Sequence, residues 1–481
     1  MEFEKNNATR KYIDLVKTLE RSEFKDRRMA ILGIARTGLA AAPVLRDLGA
    51  KVILSDNASA AVLGVNLIEA QMLGVELRVG ATPEEALEGA EIVVPSPGIP
   101  ASAPVLRLAL ERGLPILSEI EVAYRICRAP IMAVTGTNGK TTTAILLGEI
   151  MRAAGYKTYI AGNVAADELK QPLIQAAAEA DRGDVIVAEI SSFQLEWVEK
   201  FRPKIGILTN ITPDHMNRHA DFREYVRCKS RLFAAQRPDD VAVLNAVNAP
   251  SRSIGAGIPS RLCWFDRGAC DNEYSSCVRN GQIVVRWAGI EHILCKTDEL
   301  RIPGAHNLEN ALAAAAAAIA FGADPLAVSN AMRAFAGVVH RMEFVEELNN
   351  IRYYNNSMCT NVDAAIRSLE ALDRPVVVIA GGVNKNMDFT PLGPALVRDA
   401  RHLVLIGRDA KDIENAARAS GYNSITHAES MQEAVQQATS FAHPGDAVML
   451  SPACASFDMF KDFEDRGEMF RQAVRQLSYK R

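Results

Sequence analysis

The run AVTGTNGKTTT, residues 133–143, sets a lysine and three threonines directly behind a short glycine loop. Backbone N–H groups, a lysine ammonium and threonine hydroxyls are the groups that hold phosphate and Mg²⁺. The spacing is not the common one. The usual phosphate loop has four residues between its first glycine and Gly-Lys-Ser/Thr. Counting back from Gly139, that position holds Val134, and the nearest glycine is Gly136. IMAV before the loop reads as a buried strand, and TTTAILLGEIMRAAG after it carries apolar residues at helical spacing. Gly136, Thr137, Asn138 and Gly139 therefore lie between a strand end and a helix start, where the helix dipole favours an anion. Lys140 is placed for outer phosphates, the Thr141 hydroxyl for Mg²⁺, and Thr142 follows them. The plain alternative is a turn with a helix cap, because Thr, Asn and Gly are also turn residues. Strand, Gly-Lys-Thr and helix together favour phosphate.

Other chemical groups follow strand-like runs. DVIVAEISSFQLE (184–196) puts Glu189 near the end of a buried strand, where α/β sheets bind ligands. After a phosphate loop, a carboxylate there is the expected Mg²⁺ partner of Thr141; alone it would read as a cap or a surface residue. LTNITPDHMNRH (208–219) puts His215 in the loop after another strand. Lys229, in RCKSRLF, reads from its residues alone as a helix-face lysine. GIARTG (33–38) follows RMAIL, but Ala35 stands where a dinucleotide GxGxxG has its second glycine. Asp56 ends the next strand, and VVPSPGIP (93–100) offers Ser96 at a third strand end. These suggest a nucleotide-like ligand. In the C-terminal part, GGVNKNMDF places Lys385 after a Gly-Gly turn. LSPACASFDMFKDFEDRG places Ser456 at a turn leading into a helix. Together they form a candidate carboxylate grip, against the alternative of a surface lysine and a helix cap.

The elements that must carry these groups alternate strand and helix, which predicts parallel sheets with crossover helices. With 481 residues, the chain exceeds one core, and about 100–200 residues per domain suggests three. Boundaries are expected near 118 and 338, giving domains 1–118, 119–338 and 339–481. Residues 250–300 read as short strands within the middle domain. The composition is globular, 48% hydrophobic and 23% charged, with net charge −4. That balance gives no nucleic-acid or membrane-surface footprint. No apolar run reaches a membrane span; ALAAAAAAIA (311–320) reads as a packed helix. The eight cysteines include no CxxC pair, so reduced thiols in a cytoplasmic setting are the expectation. A soluble enzyme acting on small molecules is the plain reading.

Taken in order, TGTNGKTTT, EISSFQLE, NITPDHMNRH, GAHNLENALAA, GVVHRMEFV and LSPACASFD…FEDRG resemble the blocks of the Mur ligases of bacterial peptidoglycan synthesis. SSFQLE and SPACASFD resemble the branch that adds D-glutamate. The resemblance spans roughly residues 28–477. It implies a Rossmann-like N-terminal domain, a central P-loop ATPase-like domain with a parallel sheet, and a Rossmann-like C-terminal domain. It implies an ATP-dependent ligase that phosphorylates the carboxylate of UDP-N-acetylmuramoyl-L-alanine and joins it to glutamate. By resemblance, Arg36, Thr37, Asp56 and Ser96 hold the UDP part. Gly136 to Thr142 bind ATP, with Asn307, Asn310, Arg341 and Asn356. Two Mg²⁺ sites are implied, drawn from Thr141, Glu189, His215 and Lys229. Asn163 and His215 lie near the reacting carboxylate, and Lys229 matches a carbamoylated lysine, an anionic oxygen ligand suited to Mg²⁺. Thr360, Lys385, Ser456 and Phe463 match the amino-acid pocket. A monomer whose third domain closes over the site is the implied assembly.

One block departs. The D-glutamate-adding ligases usually carry Asp-Ser-Lys-Ala-Thr-Asn where this chain has NSMCTN: Asn356, Ser357, Met358, Cys359, Thr360, Asn361. An acid and a cation are both missing. Ala58 stands where an arginine is frequent, and Ala35 is a third departure. These leave ATP-driven ligation as the expectation with D-glutamate favoured, and they raise L-glutamate as an alternative. A different class of reading is a non-catalytic UDP-sugar or ATP sensor, against which Lys140, Thr141, Glu189, His215 and Lys229 all argue. A nicotinamide oxidoreductase is disfavoured by the broken GxGxxG.

Overall fold

The computed structural model describes residues 22–163, 171–216, 218–268, 272–302, 304–384 and 387–479. The chain divides into two compact units. The first comprises residues 1–294 and 312–331, and the second 295–311 and 332–481.

The first unit opens with a four-stranded sheet. β1 (Arg28–Leu32), β2 (Lys51–Asp56), β3 (Glu76–Val79) and β4 (Ile92–Pro95) lie in the order β3-β2-β1-β4 and are all parallel. The order reverses between β1 and β4, so a crevice opens at their carboxyl ends, where such sheets take ligands. The loop after β1 and the turn after β4 rim it.

The second sheet has nine strands. They are β5 (Ile131–Thr135), β6 (Thr158–Gly162), β7 (Val185–Glu189), β8 (Ile205–Leu208), β9 (Val241–Asn245), β10 (Arg261–Asp266), β11 (Ser275–Arg279), β12 (Gln282–Trp287) and β13 (Ile290–Lys296). Their order is β13-β12-β11-β10-β9-β8-β5-β7-β6. IMAVT, VIVAE, IGIL and VAVLN are buried at every position. That is what continuous apolar runs become in a parallel sheet covered on both faces. β5, β7 and β8 are adjacent, so the loops after them meet at one edge. The short strands expected over 250–300 extend this sheet, with β11 and β12 antiparallel. One apolar cluster runs from Met29 and Leu45 through Ile120 and Ile126 to Ile186 and Leu208, joining both sheets of this unit.

The second unit holds β14 (Glu343–Leu348), β15 (Ile351–Asn355), β16 (Val376–Gly381), β17 (Ala400–Ile406), β18 (Ile425–His427) and β19 (Ala447–Leu450). Their order is β14-β15-β19-β16-β17-β18, parallel except for the β14–β15 hairpin. β15, β19 and β16 are neighbours, which brings the loops after Asn355, Gly381 and Leu450 to one edge. Among the described residues, no helix is long and apolar enough to cross a membrane.

Candidate active site

β5 delivers the chain to Gly136, and the helix Lys140–Ala153 leaves it. Gly136 has φ +149°, and a Cβ there would collide with Thr209 Oγ1, so only glycine fits. Gly139, at φ +84°, is the N-cap of that helix and no side chain caps it. Backbone N–H groups and the positive end of the dipole are thus aimed at the loop. The loop is braced by the segment after β8. Thr137 N donates to Asn210 O, Asn138 N donates to Asn210 Oδ1 at 3.0 Å, and Asn210 Nδ2 returns a bond to Asn138 O at 3.1 Å. Lys140 Nζ donates to Thr137 O at 2.9 Å. The Thr142 hydroxyl is buried with no partner among the described residues.

Thr141 Oγ1 donates to Glu189 Oε2 at 2.7 Å, which joins the helix start to the end of β7 as the order of the strands requires. Two hard oxygen donors beside a phosphate loop suit Mg²⁺, which takes few protein ligands and keeps water and phosphate for the rest. Among the described residues no three His, Cys, Asp or Glu side chains converge as a ready-made metal cluster, so the fit is to a metal shared with phosphate.

Lys229 is one of the most buried cations, 1% exposed. It sits on the helix Phe222–Ser230, one turn after Tyr225, so both point the same way. Lys229 Nζ donates to Gly136 O at 2.7 Å and lies 4.6 Å from the centre of the Tyr225 ring. The Tyr225 hydroxyl meets Thr137 Oγ1 at 3.1 Å. Burial, reinforced by the Lys140 charge, holds the Lys229 amine well below the usual lysine range, while Asp214 and Glu189 pull it back up.

His215 has φ +57° and an exposed side chain, with Nε2 3.7 Å from Asp214 Oδ2 and its ring edge-on to Phe193 at 4.9 Å. Asn163 is placed by its backbone: Asn163 N donates to Glu189 O at 2.9 Å. Lys140, Thr141, Glu189 and Lys229 therefore meet around one loop; Asn163 is tied to Glu189 by its backbone, and His215 follows in the segment after β8.

In the crevice after β1 and β4, Arg36 and Thr37 begin the helix Arg36–Asp47 and Ser96 follows β4. The Ser96 hydroxyl is buried without a partner among the described residues, which leaves it for a polar ligand. Asp56 also braces the loop: its two oxygens accept from Ile34 N and Ala58 N, each at 2.8 Å, and each keeps a further lone pair. Arg36 Nη2 reaches across to Gly162 O at 2.7 Å.

In the second unit, Asn307 and Asn310 are buried one turn apart, with Asn310 Nδ2 donating to Asn307 Oδ1 at 3.3 Å. Arg341 lies between His340 and Met342, which both have positive φ. This bend is tied to the NSMCTN loop by Met358 N to His340 O, by Met342 N to Asn356 Oδ1 at 3.2 Å, and by Arg341 Nε to Met358 Sδ at 3.4 Å. Thr360 is half-buried and Ser456 buried. The expected helix start is displaced: a turn follows Ser456, and the helix begins at Phe463. Phe463 O accepts from Ser357 Oγ at 2.6 Å. Lys385 lies outside the described residues.

Sequence reasoning missed several groups. His219 is buried, with Nε2 3.0 Å from Ser192 Oγ, and burial depresses its pKa. Arg218 donates to Gly98 O and Ile99 O and pairs with Glu196 at 2.8 Å. Arg466 is fully buried and donates to Ser357 Oγ, Ser357 O and Cys454 O. Only Tyr225 left a signal, its spacing of four from Lys229; the other bonds join residues far apart in sequence.

Family models match three stretches: a Mur ligase MurD-like N-terminal domain over 27–118, a Mur ligase middle domain over 134–318, and a Mur ligase glutamate ligase domain over 340–454. The UDP-N-acetylmuramoylalanine–D-glutamate ligase of Pelotomaculum thermopropionicum is 44% identical over 455 residues, covering 95% of this chain and 99% of the relative. The chain belongs to the Mur ligase family. The like-named protein of Thermoanaerobacter pseudethanolicus is 43% identical over 457 residues, at 95% and 99% coverage. The fold is shared with the UDP-N-acetylmuramate-alanine ligase of Thermotoga maritima, at TM-score 0.58 and 18% identity, over 95% of this chain and all of that one. A pseudomurein peptide ligase type C from Methanothermus fervidus gives 0.57 and 19%, over 94% of this chain and all of that one. This Mur ligase is an ATP-dependent, Mg²⁺-using ligase with the three-domain α/β fold expected from its sequence.

Proposed function

We propose that this Mur ligase joins glutamate, D-glutamate by the names of its relatives, to the terminal carboxylate of UDP-N-acetylmuramoyl-L-alanine in peptidoglycan precursor synthesis. The convergence of Lys140, Thr141, Glu189 and Lys229 on one glycine loop carries this reading. The substrate carboxylate takes the γ-phosphoryl of ATP, releasing ADP. The amine of glutamate attacks the acyl phosphate, and the tetrahedral adduct collapses to an amide, phosphate and a proton. Lys140 and the amides of 136–141 offset charge on the transferred group. Thr141 and Glu189 would hold Mg²⁺, which would supply further charge neutralisation. Asn163 and His215 flank the reacting carboxylate. Gly136 to Thr142 are assigned to ATP, together with Asn307, Asn310, Arg341 and Asn356. Arg36, Thr37, Asp56 and Ser96 are assigned to the UDP part.

Lys229 is assigned as a carbamate. Its buried amine is depressed toward the neutral form, and a neutral amine adds carbon dioxide with loss of one proton. The product would be an anionic oxygen ligand that, with His215, would hold a second Mg²⁺. Exchange of ¹³C-bicarbonate into a single carbamate resonance, absent in Lys229→Met, tests this assignment.

The second unit supports an acidic amino acid. Among the described residues Arg466 donates to neutral oxygens, with the Asp458 carboxylate near enough for its charge to act on it, and burial lowers its pKa only to about 10, so it remains a cation. Thr360, Ser456, Phe463 and Lys385 are assigned to this pocket. The functional test is ATP-dependent phosphate release with UDP-N-acetylmuramoyl-L-alanine, given D- and L-glutamate separately. Turnover with D-glutamate is expected. Turnover with L-glutamate alone would trace the change to NSMCTN, and turnover with neither would refute the reading.

A further inference from the structure

Glu119 is a buried acid that the reaction just described does not use. It opens the helix Glu119–Ile126 and is 2% exposed. Its Oε1 accepts from Ile174 N at 2.6 Å, in the first turn of the helix Leu173–Glu179. That helix packs against both the helix Glu119–Ile126 and the helix Arg36–Asp47. The Arg36 guanidinium is close enough for its charge to act on the Glu119 carboxyl. Burial nevertheless pushes this carboxyl up to about 7, against the Ile174 N–H, the Arg36 charge and the Leu173 N–H, which all lower it.

Arg36 acts at the end of β6 as well. Arg36 Nη2 donates to Gly162 O at 2.7 Å. Gly162 N donates to Gln171 O at 2.8 Å, and Asn163 N donates to Glu189 O at 2.9 Å. A Cβ on Gly162 would collide with Glu189 O, so this backbone presses directly on the residue assigned to the metal. Glu119 fixes the chain where it returns at 171–174, and Arg36 fixes it where it leaves at Gly162. Arg36 also stands in the N-terminal crevice.

We propose that Glu119 is a positioning residue for the ligation: with Arg36 it latches the backbone at Gly162 and Asn163 against Glu189, and so couples occupancy of the N-terminal crevice to the phosphoryl-transfer loop. The proposal rests on the functional reading given for Arg36, Asn163 and Glu189. Hydrogen–deuterium exchange on the full chain tests the latch independently of turnover, and steady-state kinetics tests its effect. The variants are Glu119→Leu, which fills the space without an acceptor, and Glu119→Gln, which keeps an acceptor oxygen. In the parent chain, UDP-N-acetylmuramoyl-L-alanine slows exchange at 160–163 and 171–174. In Glu119→Leu that protection is lost and kcat falls about 10-fold or more, with KM for ATP within about twofold. Glu119→Gln stays within about threefold of the parent on both readouts. Arg36→Met, a change at an exposed side chain that is itself assigned to the UDP part, is read without ligand: faster exchange at 160–163 with the rest of the central sheet unchanged is expected, which covers the case in which Glu119→Leu does not fold, and unchanged exchange there would overturn the proposal. Unchanged exchange and kinetics in Glu119→Leu would overturn the proposal. So would faster exchange spread over the whole central sheet with KM and kcat moving together, which marks general loosening. If the parent shows no turnover with either glutamate, the functional reading fails, and the exchange experiment still decides whether the latch exists.

Discussion

The loops after β5 and after β15 occupy the same place in their sheets, at the carboxyl end of a parallel strand, and they are chemically opposite. Around Gly136 the structure gathers charge of both signs: Lys140 and Lys229 against Glu189 and Asp214. Around Asn356 the loop itself is neutral, with Asn356, Ser357, Met358, Cys359, Thr360 and Asn361. Its cations come from elsewhere, Arg466 from the last helix and Arg341 from the preceding bend. The difference teaches what each loop has to do. Phosphoryl transfer moves charge between oxygens and needs fixed opposite charges and a metal at the point of transfer. The acidic amino acid proposed for the neutral loop calls for positive donors; Arg466 supplies one, with Asp458 near enough for its charge to act on it.

The comparison breaks most directly at Lys140. Lys140→Ala is expected to lower kcat by about 10²–10³-fold, as loss of one transition-state donor does elsewhere, measured by phosphate release. Glu189→Gln is expected to raise the Mg²⁺ concentration for half-maximal rate by about 10-fold or more. A normal Mg²⁺ dependence would show that Thr141 and Glu189 do not share the metal. Lys229 links charge to stability. Its folded pKa is depressed, so its contribution to stability is present above the unfolded pKa and is lost as pH falls toward the folded pKa. At pH 7 the buried amine is therefore a net cost in buffer free of carbon dioxide. Lys229→Met should raise the melting temperature there while abolishing bicarbonate-dependent activity. A lower melting temperature would contradict that sign. On the neutral side, Met358→Lys combined with Asn356→Asp should change kcat with D-glutamate by less than about threefold. A larger gain would show that NSMCTN impairs D-glutamate use. Cys359→Ala, which removes a buried thiol bonded weakly to Ser451 at 3.5 Å, should change it by less than about twofold.

The charged loop was the more legible one. Strand, glycines, lysine and threonine lie in one short run, and the buried strand ending in Glu189 declares its own place at the sheet edge. Lys229 was legible only through family resemblance, because a lysine on a helix shows no sign of the carbonyl 93 positions away that it contacts. Asp56 read as a ligand contact, and its second job was not legible: each of its oxygens also accepts a backbone N–H, from Ile34 and Ala58. The neutral loop was visible as a departure, but its support was not. Arg466 reaches Ser357 over 109 positions, and the two residues of positive φ around Arg341 follow from the bonds to Asn356 and Met358. Glu119 and Arg218 were hidden for the same reason. They join separate sheets of one unit, and no local pattern records a partner on another sheet.

The most direct test of the account is to follow oxygen. UDP-N-acetylmuramoyl-L-alanine labelled with ¹⁸O in its terminal carboxylate is turned over with ATP and D-glutamate, and the inorganic phosphate is analysed by mass. Activation of the carboxylate by ATP predicts one ¹⁸O per phosphate and one labelled oxygen retained in the amide. Unlabelled phosphate would mean that ATP is cleaved by water, and ligation through an acyl phosphate would be wrong.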